Sequence, residues 1–419
     1  MNSHGEDTAT EKTEMRDALR ALRVRRSVVH IFVAILLGLL PQAAVAQTPD
    51  DLFDPTTLHD IRIRLNARDL QSLHDRYLEN AFYPGEFEWR GASVGNVAVR
   101  SRGTGSRNGI KLGLEVEFDR FIGGQRFLGL RGIVLDNLWQ DPALLRESVT
   151  MALFARLGQP APRESYARLF INDEYQGLYA IVETIDDQFL SRSFGDPAGY
   201  VLEYHWLSEF YGSYPGSRLS AYTPMFEPRT HELESPTTVY SPIERLFYEA
   251  NRNTDSTWRE GVDRYLDVQQ FLMHVAIEEF VSELDGITGY AGMNNFYLYR
   301  PADNTRQQLI PWDRDNAFQD VQSSVFLRID DNEILRRLLG YPDLRELYLQ
   351  MLEACAAAAA GDRWLEREVA WRAALITPAA HADTNKWYSN DDVDRGIALL
   401  QSFARDRPAI VLNQIREAR

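Results

Sequence analysis

Asn294-Asn295-Phe296-Tyr297-Leu298-Tyr299 and, a short way downstream, Ile310-Pro311-Trp312-Asp313-Arg314-Asp315 are the segments on which the reading of this chain turns. Each carries an apolar run with aromatic residues, and Asp303-Asn304 lies between them as a turn. The expected unit is a strand, a turn, a second strand and then two exposed carboxylates at Asp313 and Asp315. Oxygen donors placed this way suit a hard cation such as Mg²⁺, which prefers octahedral oxygen ligands shared with phosphates. A plainer reading makes Asp313 a turn cap and leaves Asp315 solvated, because a lone Asp-x-Asp is a weak motif.

Working outward, an apolar helix predicted from Val268 to Glu283 ends just before Asp285-Gly286. That aspartate either terminates the helix with its glycine or orients and deprotonates an attacking hydroxyl. Upstream, Arg102-Gly103-Thr104-Gly105-Ser106-Arg107-Asn108-Gly109 separates two alternating runs, Val94 to Arg100 and Leu112 to Phe118, that read as strands. A loop of small and basic residues presents backbone N–H groups to an anion, or is simply a turn. Lys111 follows it. The chain writes arginine almost everywhere, and its lysines are only Lys12, Lys111 and Lys386. A compact ammonium at 111 matches contact with phosphate oxygens, unless its retention is accidental.

The bounds are simple. With 419 residues and 44% hydrophobic content, the chain is long enough for two ordinary domains or one large bipartite unit. A formal charge of −16 argues against a nucleic-acid partner, which needs a basic face. Cys355, the single cysteine, sits in an alanine-rich helix and reads as a small buried residue. Arginines from Arg16 to Arg26, the apolar run Val28 to Leu40 and Ala44-Val45-Ala46 follow the order of a secretory leader, with cleavage after Ala46. An uncleaved anchor is the other reading and would be the only route to a membrane.

Beyond the leader (1–46) and a polar linker (47–58), strands dominate to residue 184. They include a hairpin, Tyr166 to Ile171 and Gly177 to Glu183, around Asn172-Asp173. Asp141-Pro142 is expected to open a helix through Leu144, Leu145 and Val149. From 185 onward the pattern is mainly helical, broken by an irregular stretch from Glu209 to Thr238. The predicted fold class is α+β, with a β-rich N-lobe (59–184), a mainly helical C-lobe (185–419) and a ligand cleft between them.

Taken together, these segments resemble the spore coat protein H (CotH) kinases, an atypical protein-kinase-like family. The resemblance runs from about Ile61 to Arg416. It is carried by Arg102 to Arg107 with Lys111, Asp141 to Glu147, Gly158 to Pro162, Ile171 to Tyr179 with Glu183, Leu284-Asp285-Gly286, Asn294 to Tyr299, and Ile310 to Phe318. It implies a two-lobed kinase-like fold, ATP with Mg²⁺ or Mn²⁺, and transfer of phosphate to Ser or Thr of a protein. It further implies Asp285 as the catalytic residue and Asp313, Asn295 and Asp315 around the metal. Arg102, Gly103, Ser106, Arg107, Lys111, Arg146 and Glu183 would line the nucleotide. Three positions depart from the pattern. Asp285 and Asn295 lie ten residues apart, where the tightest members use a kinase-like Asp-x-x-x-x-Asn, with Gly289 to Met293 as the insertion. Glu203 stands where many members carry lysine, and Gln319 replaces a common glycine. The competing function is a secreted binding or structural protein that keeps the scaffold with little turnover.

Overall fold

The computed structural model describes residues 15–21, 47–252 and 255–419. It divides into a unit up to Gln47 and a second from Thr48 to Arg419. In the first, residues 15–21 are helical; the rest of the expected leader lies outside the described residues. Everything below concerns the second unit.

In chain order its elements are β1 (Leu58–Leu65), α1 (Ala67–Asp75), β2 (Tyr83–Trp89), β3 (Ala92–Ser101), β4 (Leu114–Glu117), β5 (Gly132–Asp136), α2 (Arg146–Arg156), β6 (Glu164–Ile171) and β7 (Glu174–Glu183). Next come α3 (Asp187–Phe194), β8 (Tyr200–Tyr204), β9 (Phe226–Pro228), α4 (Pro236–Asn251), α5 (Trp258–Asp263), α6 (Val268–Phe280), β10 (Phe296–Arg300) and β11 (Gln308–Pro311). Four helices close the chain: α7 (Glu333–Leu338), α8 (Pro342–Ala360), α9 (Trp364–Ala382) and α10 (Asn390–Ala418).

The architecture is mixed α+β, and the strand-rich part is a closed barrel in the order β1-β2-β3-β4-β5-β7-β6. Closure runs through a parallel pairing of β1 with β6, such as Ile61 opposite Leu169, and leaves the barrel no free edge. The β6–β7 hairpin turns on Asn172 and Asp173, both left-handed at φ 49° and 66°, as a two-residue primed turn requires. Residues 47–58, read from sequence as a linker, contain a helical turn whose Leu52 and Phe53 are buried in the barrel interior.

A second sheet, β11-β10-β8-β9, lies in the later half. Its β10–β11 hairpin, with Phe296 opposite Pro311, matches the expected strand–turn–strand unit. The barrel interior forms one hydrophobic cluster; a larger one runs from α2 and the outer faces of β6 and β7 through the later helices. The simple division into a strand lobe and a helical lobe is thus coarser than the packing, since α2 shares the core of the later helices.

One expected boundary shifts. Helix α2 starts at Arg146, not at Asp141. Asp141 accepts from the amides of Ala143, Leu145 and Arg146, and Leu144 between them is left-handed at φ 59°. The carboxylate holds a tight turn ahead of the helix instead of capping it.

Candidate active site

Helix α6 is apolar on all sides, and its last turns carry the buried acids Glu278 and Glu279. The chain leaves it through Ser282, left-handed at φ 54°, and reaches Asp285. There the Asp285 amide donates to Glu283 (2.8 Å), while Asn294 and Asn295 both donate to Asp285 Oδ2, at 3.1 and 3.0 Å. The ten-residue separation is no obstacle to this pairing. Residues 286–293 close on themselves through Gly289 N to Gly286 O, Gly292 N to Gly289 O, and Asn294 N to Gly286 O. The insertion loops out and delivers Asn295 to Asp285.

The Trp-Asp segment is laced to the same corner. Trp312 N donates to Asn295 O (3.1 Å), and Phe318 N to Val281 O (2.6 Å). Asn295 and Asp313 both adopt left-handed backbone, φ 58° and 52°, a conformation that non-glycine residues hold only when the surroundings enforce it. Beneath them Arg314, fully buried, joins Glu278 Oε1 (2.5 Å) and His274 (3.2 Å), and Glu278 Oε2 accepts from Ile287 N (2.8 Å). This triad fixes the floor of the site and puts a positive charge behind Asp285 and Asp313.

Above the floor, negative charge predominates. Burial and the nearby Asp136 carboxylate push Asp313 up to about 6, and Asp285 adds to the rise. Asp315 is raised well above the ordinary range by burial and by Asp313. Burial also raises Asp285, and carries Glu283 to about 8. Carboxylates crowded this way cannot all ionise together without an opposing charge. Asp136, at the end of β5, had not been singled out from the sequence; its one signal is an acid closing the apolar run Ile133-Val134-Leu135. Arg314, Glu278 and His274 were missed as well, although His274 and Glu278 stand one helical turn apart.

Of the residues expected to line a nucleotide, two reach this corner. Arg102 lies over the Trp312 ring, 5.3 Å from its centroid, and its charge is felt by Asp313. It also lines a cavity of about 620 Å³ with Val134, Ile185, Arg229, Tyr297 and Trp312. Arg146 pairs with Asp141 (3.4 Å) and donates to Asp315 O (3.4 Å). Gly103 is left-handed at φ 107°, and a Cβ there would meet Ser106 Oγ at 2.7 Å, so these two residues shape the loop.

The other three are committed elsewhere. Arg107 is spent on Ser101, Asn80 and Glu79 O, stapling the loop to β3. Glu183 is gripped by Arg163 (2.6 Å) and Arg192 (2.7 Å). Lys111 is fully buried, its ammonium bonded to Asp383 (2.7 Å) and Leu178 O (2.7 Å) and lying 4.9 Å from the Tyr179 ring centroid. Lysine's retention at 111 thus has a packing reason: a compact ammonium fits this slot where a planar guanidinium does not. Lys386 meets the same aspartate through its backbone oxygen (2.8 Å). Gly177 is left-handed at φ 125°, and a Cβ there would strike the Asp383 carboxylate at 2.4 Å. Glu203, at the position where many family members have lysine, is paired with Arg229, the residue that follows β9.

A family model described as CotH kinase protein matches residues 99–411, and the chain belongs to that family. The inner spore coat protein H of Bacillus subtilis (strain 168) is 22% identical over 308 residues, covering 72% of this chain and 81% of the relative. Among solved structures, the Helicobacter pylori proinflammatory kinase CtkA aligns over 73% of this chain and 94% of its own, at 8% identity and a TM-score of 0.31. No helix among the described residues is long and apolar enough to cross a membrane.

Proposed function

We propose that this protein is an exported, metal-dependent protein kinase that moves the γ-phosphate of ATP to a Ser or Thr hydroxyl of another protein. What supports the reading most is one corner: Asn295 bonded to Asp285 at 3.0 Å, with the Trp-Asp motif tied to Asn295 by its backbone. Family membership points to phosphoryl transfer in general, and the kinase-like division into residues 59–184 and 185–419, like the leader at 1–46, belongs to the same proposal.

The donor set fits a hard divalent cation. Asp313 and Asp315 offer carboxylate oxygens whose mutual repulsion a cation would relieve. Asn295 gives its Nδ2 to Asp285, which leaves Oδ1 as the oxygen a metal would take. Bound Mg²⁺ or Mn²⁺ supplies charge neutralisation for the terminal phosphates. Asp285 orients the acceptor hydroxyl and takes its proton, its own carboxylate held by two asparagine amides. Arg102 places positive charge between the cavity and Asp313, and Arg146 braces the Asp315 backbone. Val134, Ile185 and Tyr297 supply the apolar part of a cavity otherwise lined largely by charged side chains.

A second reading has an observation of its own. Lys111, Arg107 and Glu183 are all engaged in holding the fold, which suits a scaffold that binds partners with little turnover. Incubating the mature chain with labelled ATP and Mg²⁺ or Mn²⁺, with and without a generic protein acceptor, separates the two. The kinase reading expects label that depends on metal and disappears in Asp313→Ala. Equal label in that variant, or no nucleotide binding by either, would leave the scaffold reading standing.

A further inference from the structure

The cavity of about 620 Å³ beside Trp312 is lined by charges of both signs, and several of them are already answered. Glu115 pairs with Arg100, Glu117 with Arg120 (3.2 Å) and Asp119 with Arg126 (2.8 Å). Arg229 closes its guanidinium on one oxygen of Glu203, with Nε at 2.7 Å. Arg229 is thereby a wall of the cavity whose charge is spent.

Two polar groups in the same lining are not spent. Arg102 lies over the Trp312 ring, 5.3 Å from its centroid, and Tyr297 of β10 meets that ring at 77°, with centroids 5.4 Å apart. Among the described residues neither the Arg102 guanidinium nor the Tyr297 hydroxyl has a hydrogen-bond or ion-pair partner. The two are near enough for each to feel the other's charge. Tyr297 is only 5% exposed, and a buried hydroxyl beside a guanidinium with no acceptor between them is a costly arrangement. A guanidinium offers donors only, so what the pair lacks is an acceptor that both can reach.

We propose that Tyr297 and Arg102 together grip one phosphate group of the nucleotide, each donating to a different non-bridging oxygen. The assignment rests on the kinase reading above and adds Tyr297 to it. Trp312 carries both contacts and is followed directly by Asp313, so a phosphate held here lies next to the metal ligands. Phosphate suits the pair better than a carboxylate does, because it keeps an oxygen for a third donor after the guanidinium fork is filled.

Tyr297→Phe removes one hydroxyl and keeps the ring against Trp312. The test is calorimetry on the mature chain with Mg²⁺-ATP, inorganic tripolyphosphate and adenosine, repeated for Tyr297→Phe, Arg102→Gln and the double variant. Tyr297→Phe is expected to weaken ATP and tripolyphosphate about tenfold or more and to leave adenosine unchanged. It should raise KM for ATP with little change in kcat, and leave the thermal unfolding midpoint where it is. Arg102→Gln should weaken both anions further, and the double variant should lose less than the product of the single losses, because both residues act on one phosphate. Tripolyphosphate binding that falls in Tyr297→Phe, in a protein that transfers no label, supports the grip and removes the kinase reading alone. Label transfer by the wild type with ATP affinity unchanged in Tyr297→Phe, or with adenosine weakened equally, overturns the grip and leaves the kinase reading in place. A wild type that binds neither ATP nor tripolyphosphate overturns the grip as well.

Discussion

Two buried charge clusters define this molecule, and they are built on opposite plans. Around Lys111 every charge is answered: the ammonium by Asp383 and a carbonyl, the aspartate by Lys111 and by the amides of Leu178, Asn385 and Lys386. Around Asp313 carboxylates crowd one another, with Asp136, Asp285 and Asp315 all in range and Arg102 and Arg314 as the opposing charges. Burial lowers the Lys111 pKa, yet its partner restores the charged form; burial at Asp313 is made worse by its neighbours. A satisfied cluster locks a fold and has nothing left to give. An unsatisfied one leaves an electrostatic demand that a proton or a cation can meet.

The sharpest way to test the contrast is to cut each cluster and read both activity and stability. Asp285→Asn is expected to lower metal-dependent phosphotransfer by about 10³-fold with the unfolding midpoint nearly unchanged, measured by labelled ATP and by urea titration. Lys111→Met should do the reverse, destabilising the fold by about 3–5 kcal/mol because Asp383 is left buried without its counter-charge. Adding Asp383→Leu to it should restore much of that loss. ATP affinity of the folded Lys111→Met protein, taken by calorimetry, should match wild type; a tenfold weakening would return Lys111 to the nucleotide.

A third test uses pH. Asp313 is raised to about 6 and Glu164, Glu279 and Glu283 to about 8, each chiefly by burial. In all four the folded state binds the proton more tightly than the unfolded chain. Stability of the metal-free protein is therefore greatest below about pH 4 as far as these groups decide it, and falls as pH rises from about 4 to about 8. The unfolding free energy from urea titration should drop by about 2 kcal/mol or more across that range, and divalent cation should flatten the slope. The smallest effect belongs to Arg107→Ala: about 1 kcal/mol of stability from the loosened loop, with ATP binding unchanged.

How much of this could be read in the chain alone depends on how local the signal was. The β10–β11 hairpin was legible because its alternation, turn and acids are contiguous. The Arg102 loop and Asp285 were legible as candidates for the same reason. Lys111 was visible as an oddity, but its partner stands 272 residues away, so its work in packing could not be inferred from spacing. Glu183 was misjudged likewise, since Arg163 and Arg192 come to it from separate elements. Asp136, Glu147 and Glu164 escaped notice because each is a single acid in an apolar setting, and only barrel closure and the placement of α2 gather them. The Asn295 spacing looked like a defect until the loop 286–293 was seen to close on itself.

The Lys111–Asp383 bond also sets an order of events during synthesis. At roughly 5–20 residues per second, the 272 residues between the partners keep Lys111 waiting for about 15–55 s after it is made. Through that interval the barrel slot holds a charge it cannot bury. Strand β7 can pair with β5 and β6 early, but its seating over Lys111 must wait until the stretch after α9 emerges. A nascent chain stalled before Asp383 would thus carry the Lys111 ammonium without its counter-charge.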